Sequence, residues 1–192
     1  MDSQGLSVQY MRGFYSFEEA FSLYETLFME IPWQRDEIVF FGKKVQIPRL
    51  QCWMGEEGAV YSYSGLKMNP IPFNQTVLGI KKDIEQATGA EFNSVLINLY
   101  RDGNDSNGWH ADDEKELGKR PVIASLSLGT DRIFQMRHKN SGQRNDLLLE
   151  HGSLLVMRGD TQKCWKHQIA KSKKITEPRI NLTFRKIIKE QF

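Results

Sequence analysis

Cysteine is nearly absent: Cys52 and Cys164 are the only two in 192 residues. Two thiols so far apart make a poor disulfide scaffold, and a reducing compartment is the simpler reading. Long apolar runs are lacking too, and no stretch approaches the ~18 apolar residues that span a bilayer. The N-terminus carries Asp2 and no succession of basic, apolar and small residues, so no signal peptide is expected. Internal repeats, low-complexity tracts and interdomain linkers are also missing. These absences leave one domain over residues 1–192, intracellular and away from membranes, cytoplasmic in a bacterium or nuclear in a eukaryote. A monomer is expected.

A large excess of either charge is missing overall, since the formal net charge is +2. Its distribution is uneven. Residues 1–60 hold nine acids against five bases, a net of −4, whereas residues 158–189 hold ten bases against two acids, a net of +8. A solvated basic face is the simplest meaning of the second cluster, and a polyanionic partner is the other.

Ser16-Phe17-Glu18-Glu19 has the spacing of a capping box, and apolar residues recur at helical intervals from Phe17 to Phe28 before Pro32 stops the element. A second helix is expected over 74–88, opened by Asn74 and closed by Gly89. The rest reads as strands. Ile38–Phe41 and Val45–Ile47 flank Gly42-Lys43 as a hairpin, and Gln51–Met54 and Ala59–Tyr63 flank a glycine-bounded turn. Further strands are expected at 94–100, 122–128, 132–137, 146–150, 153–158, 165–169 and 179–188. Many short strands after two helices predict a mainly β sandwich or barrel buttressed by helices.

Four histidines are few enough to weigh singly. His110-Ala111-Asp112 sets an imidazole and a carboxylate two residues apart, so that in extended backbone both project to one side. His167 lies 55 residues beyond Asp112 and must arrive from a distant strand. Two histidines and one carboxylate leave coordination positions open, as in non-haem Fe(II) oxygenases. A structural zinc site would prefer four closed ligands including thiolates, and the cysteines are not clustered for that. His138 and His151 read as turn residues. His-x-Asp alone is common and is matched as well by a loop histidine beside an acidic turn.

Residues 179–185 alternate without a break: Arg179, Asn181, Thr183 and Arg185 share one face, and Ile180, Leu182 and Phe184 the other. On a half-exposed strand the arginines would face water. In an enclosed barrel the apolar face packs under helices and the polar face lines a cavity, where two guanidinium groups suit a small dicarboxylate. Leu96, Asn98 and Tyr100 form a similar row, and Asn98 needs a polar partner inside so apolar a strand.

Taken jointly, Asn98-Leu99-Tyr100, His110-Ala111-Asp112, His167 and Arg179-x-Asn181-Leu182-Thr183-Phe184-Arg185 resemble the AlkB family of nucleic-acid dealkylating dioxygenases, most of all the homologue acting on duplex DNA. The likeness runs from about Ile38 to Ile187, with Ile47-Pro48-Arg49 and Tyr61 to Leu66 in support. It implies a double-stranded β-helix (jelly-roll) core over 91–188, with 1–90 as an N-terminal extension and nucleotide-recognition lid. It further implies Fe(II) on His110, Asp112 and His167, with O2 and 2-oxoglutarate as co-substrates. Arg179 and Arg185 would hold the carboxylates of 2-oxoglutarate, with Asn98, Tyr100 and Asn181 completing its hydrogen bonds. Tyr61, Tyr63 and Glu114 match positions around a damaged base, and Phe41 matches a wedge that fills the gap left by an extruded nucleotide. Arg137, Lys139, Lys171, Lys173 and Lys174 would grip phosphates. Tyr63 and Ser172-Lys173-Lys174 depart from the pattern, where the relative has Phe and a fully basic triplet. The activity implied is oxidative demethylation of alkylated DNA. Competing readings are an RNA demethylase or other 2-oxoglutarate oxygenase, and a non-catalytic binder of alkylated DNA.

Overall fold

A computed structural model describes residues 4–40, 43–59, 61–63 and 66–188. The two expected helices form where their caps are written. In α1 (Phe17–Glu30) the Ser16 hydroxyl accepts from the Glu19 amide, and the Glu19 carboxylate accepts from the Ser16 amide at 2.9 Å. Asn74 caps α2 (Gln75–Thr88) through the Val77 amide at 2.8 Å, and Gly89 ends it at φ 64°. That left-handed conformation suits a residue without a Cβ.

Eight strands make the core, and from β7 to β14 the chain passes repeatedly between two sheets. β7 (Ser94–Tyr100), β9 (Ile123–Gly129), β12 (Ser153–Met157) and β14 (Arg179–Arg185) lie in the larger sheet. β8 (Asn107–His110), β10 (Arg132–His138), β11 (Arg144–Leu149) and β13 (Trp165–Ile169) form the smaller one, in the order β11-β10-β13-β8. Four strands facing four in this order are the expected jelly roll. Two strands from the first sixty residues extend the larger sheet at its edges: β1 (Val8–Met11) on β12 and β4 (Leu50–Gly55) on β7. Separate hairpins come from β2 (Glu37–Phe40) with β3 (Lys43–Gln46), and β5 (Tyr61–Tyr63) with β6 (Leu66–Met68). A single turn of helix, α3 (Thr161–Cys164), leads into β13.

Several elements differ from expectation. β1, β6 and β8 have too few residues to show a period, and β5 pairs with β6 rather than turning back onto β4. The strand expected over 179–188 stops at Arg185. Of the first hairpin, Phe41 at the end of its expected first strand and Gly42 of its expected turn lie outside the described residues.

β14 is the centre of the fold. It pairs with β7 along its whole length on one side and with β9 from Arg179 to Phe184 on the other, and all seven of its residues are buried. Ile180, Leu182 and Phe184 pack beneath Ala20 and Leu27 of α1 and Val77, Ile80 and Ile84 of α2. Each such side chain taken from water contributes ~1.5–3 kcal/mol. Between the sheets Ile123, Leu155 and Met157 meet Phe134, Met136, Trp165 and Ile169, which closes the sandwich at one end.

The loop before β8 and the loop before β14 are locked together. Gly103 donates its amide to Ile175 O at 2.9 Å and accepts from the Ser172 amide at 2.8 Å. A Cβ at Gly103 would stand 1.8 Å from Ser172 O. Gly103→Ala is therefore expected to cost about 1–3 kcal/mol or more in urea unfolding, because the clash is with backbone rather than with a mobile side chain.

Candidate metal centre and co-substrate cavity

The polar row of β14 faces inward. Arg179, Asn181, Thr183 and Arg185 line a cavity between the sheets with Asn98 and Tyr100 of β7, Ser125 of β9, and His110, Asp112 and His167. Register explains the convergence. Asn181 stands opposite Asn98 on β7 and Ser127 on β9, and His167 of β13 stands opposite His110 of β8. The two histidines, 57 positions apart in the chain, thus become cross-strand neighbours, with rings 4.3 Å apart.

The ligand atoms of His110, Asp112 and His167 all lie within 4.8 Å of one another. Nδ1 of His110 sits 2.7 Å from Gly108 O. A carbonyl can only accept, so this nitrogen carries the proton, and the lone pair is on Nε2, which accepts from Asn107 Nδ2 at 3.3 Å and is the atom a metal would take. His167 stacks on Phe134 at 4.9 Å and turns Nε2 to within 3.8 Å of Asp112 Oδ2. The other Asp112 oxygen accepts from Arg185 Nη2 at 2.8 Å. Burial pushes the Asp112 carboxyl up, but Arg185 and then the two histidines outweigh it and hold its pKa at about 2. Burial, and after it the nearby His110, pulls His167 down to about 3. An ionised carboxylate and neutral imidazoles are the protonation states that a divalent cation needs.

Arg179 provides the second test of fit. It is 1% exposed. Its Nη2 donates to Ser127 Oγ at 2.9 Å, while Nε and Nη1 are buried with no hydrogen-bond partner among the described residues. Burial draws its pKa down to about 10, which leaves it charged at neutral pH. Tyr100 lies beneath the guanidinium at 5.3 Å. A buried cation with two unused donors in a cavity needs an anion. Asn181 is held by Ser125 Oγ at 2.8 Å, and Asn98 Oδ1 accepts from the buried Arg49 at 2.8 Å. Iron and a dicarboxylate both fit this donor set.

The expected metal and co-substrate residues are thus brought together. Glu114 follows two residues after Asp112 and is half-buried. Tyr61 and Tyr63 lie in β5, and their side chains, like Phe41, fall outside the described residues. Arg137 is exposed and lies over the Trp109 ring at 4.7 Å, so Trp109 does not face the cavity beside His110. Lys173 and Lys174 are exposed on the loop before β14. Lys139 differs, because its Nζ donates to Asp113 and to Gln162 O, both at 2.9 Å. Sequence reasoning missed Arg49, Ser125, Ser127 and Gln162. Ser125 and Ser127 could have been found, since they share one face of β9, whereas nothing local marks Gln162.

Residues 7–185 match the sequence profile of the 2OG-Fe(II) oxygenase superfamily, and the chain belongs to it. Its curated relatives are AlkB homologues. The chain is 43% identical over 190 residues to alpha-ketoglutarate-dependent dioxygenase alkB homolog 3 of Bos taurus, covering 91% of this chain and 64% of that protein. It is 41% identical over 160 residues to the DNA oxidative demethylase ALKBH2 of Mus musculus, covering 79% of this chain and 67% of that one. Against the first of these the chain spans a little under two thirds of the relative's length. The structure of OsALKBH1 superposes with a TM-score of 0.65 at 17% identity, covering 93% of this chain and 97% of that one, a likeness of fold. Among the described residues no helix is long and apolar enough to cross a membrane.

The depressed His167 has a consequence for the metal-free protein. Its folded pKa of about 3 lies below the ~6.5 of an unfolded histidine. The unfolded chain then binds the proton first, so this contribution is complete above ~6.5 and is lost as pH falls toward the folded value. Thermal unfolding in EDTA should show Tm dropping steadily from about pH 7 to about pH 4. His167→Gln should flatten that drop, and an unchanged slope would place the acid sensitivity elsewhere.

Proposed function

We propose that the chain is an Fe(II)- and 2-oxoglutarate-dependent dioxygenase that removes N-methyl groups from DNA, with N1-methyladenine and N3-methylcytosine as lesions. Formaldehyde, succinate and CO2 are the products. The observation that carries this is the pairing, in one cavity between the sheets, of a two-histidine, one-carboxylate cluster with a buried arginine that has two donor nitrogens unused among the described residues. When bound, Fe(II) supplies the O2-dependent oxidation of the methyl group at the expense of 2-oxoglutarate, and the oxidised methyl leaves as formaldehyde.

The protein's own task is to hold and orient. His110, Asp112 and His167 hold the metal. Arg179 takes the distal carboxylate of 2-oxoglutarate, and Arg185 lies beside the metal-proximal one while steadying Asp112. Asn98, Tyr100 and Asn181 complete the co-substrate's hydrogen bonds. Tyr61, Tyr63 and Glu114 surround the lesion, where a carboxylate favours a base that methylation has made cationic. Such a base pairs poorly, which reduces the few kcal/mol that extrusion from a duplex costs. Phe41 fills the gap left behind, and Arg137, Lys139, Lys173 and Lys174 meet phosphates. For Lys139 this means exchanging its bond to Asp113 for one to DNA. Residues 1–192 act as one monomeric dioxygenase domain inside the cell, with 1–90 as extension and lid and 91–188 as core. Relatives named for alkB homolog 3 and for ALKBH2 match at similar identity, so the preference for duplex rests on Phe41 and the basic loop.

Anaerobic reconstitution with Fe(II), followed by mass spectrometry of methylated duplex DNA, single-stranded DNA and RNA, tests the reading. Demethylation of DNA with stoichiometric succinate is expected; lesion binding without succinate or formaldehyde would leave only a binding module. Arg179→Ala should raise the 2-oxoglutarate KM roughly ten- to a hundredfold, the loss of a charge-assisted contact. Phe41→Ala should lower turnover on duplex more than on single strands, and equal losses on both would refute the wedge.

A further inference from the structure

Asp112 has an exposed weakness in its support. β8 ends at His110, so Asp112 lies two residues past the last ladder position, in irregular backbone. It is nonetheless 1% exposed. A buried amide outside any ladder must find another acceptor or cost ~1–3 kcal/mol. The acceptor is Gln162, whose Oε1 takes the Asp112 N–H at 2.9 Å.

Gln162 is itself 2% exposed. Burying a primary amide is unfavourable unless its polar atoms are used. Among the described residues its Nε2 meets only the thioether of Met157, at 3.2 Å, a weak acceptor. The polarity of this side chain is therefore accounted for by Asp112. Its backbone is fixed from the other side: Lys139 Nζ donates to Gln162 O and to Asp113 Oδ2, and the Lys139 amide donates to Cys164 O at 2.8 Å. Gln162 lies in α3, five residues before His167 and directly ahead of β13. Two ligands 55 positions apart in sequence are thus referenced to one another by one side chain.

We propose that Gln162 is a positioning residue for the metal, holding the Asp112 backbone in register with the strand that carries His167, with Lys139 anchoring Gln162. Arg185 orients the Asp112 carboxylate, and Gln162 sets where that carboxylate starts from. The inference rests on the metal-site reading above. Residues that orient metal ligands from behind change metal affinity when lost, which a residue important only for folding does not.

Mn(II), which resists oxidation, is the probe, and the full chain is the protein. Gln162→Met keeps length and apolar bulk but removes the acceptor. Its Mn(II) Kd is expected to weaken by about tenfold or more. The rise in Tm that Mn(II) gives should shrink in step, with a smaller change in the Tm measured in EDTA. Gln162→Glu keeps an acceptor and should stay within about threefold of the parent. The proposal fails if Gln162→Met folds and binds Mn(II) like the parent, or if Gln162→Glu loses as much. Should Gln162→Met not fold, Lys139→Met releases the same residue from outside; a loss of about threefold is expected there, and unaltered affinity overturns the anchor and the proposal. A parent chain that binds no Mn(II) would remove the metal-site reading itself, a distinct result.

Discussion

A guanidinium group sealed inside a β sandwich is the constraint around which the rest is arranged. Arg179 lies on one of the two central strands of the larger sheet, shielded from water, with a seryl hydroxyl and a tyrosine ring beside it. Removing such a cation from water costs several kcal/mol unless neighbours or a ligand compensate. The neighbours compensate only in part, and the remaining donors are aimed into the cavity. Arg185, three pleat repeats further along the same face, is neutralised within the protein by Asp112. One strand therefore carries two cations in different settings, Arg185 matched to a carboxylate of the chain and Arg179 with two donor nitrogens unmatched among the described residues.

The jelly roll makes this arrangement possible. Because the chain passes from sheet to sheet, the polar face of β14 in one layer looks across at β8 and β13 in the other. Those strands supply the histidines as cross-strand neighbours. The apolar face of β14 is covered by α1 and α2, so the two faces never compete for the same environment. A register slip of one residue would turn Arg179 and Arg185 under the helices and Ile180, Leu182 and Phe184 into the cavity. Pairing on both edges of β14, from Arg179 to Phe184 with β9 and to Arg185 with β7, opposes that slip.

What could be read from the sequence follows the same division. The strict alternation of 179–185, the capping box at Ser16 and the Asn74–Gly89 helix are local patterns, and local patterns survive in a linear string. His110 and Asp112 are near neighbours and pair locally, whereas His167 could be joined to them only as a candidate from a distant strand, which the resemblance to a family then supported. β1, with four residues, and β8, interrupted by Gly108, are too short or irregular to announce themselves; they exist because a partner strand needs an edge filled. Gln162 and Arg49 could not be found in this way. Each becomes important only when folding brings it behind a residue 50 or 49 positions away.

The glycine lock between the loops at Gly103 and Ser172 bears on how lysines 171, 173 and 174 behave. Surface loops ordinarily surrender conformational freedom when something grips them, and that entropy subtracts from affinity. Here the backbone carrying these ammonium groups is tied at Ser172 and Ile175 by main-chain hydrogen bonds to Gly103. Less backbone freedom is left to lose, so under the proposed phosphate contacts more of each attraction would remain as binding.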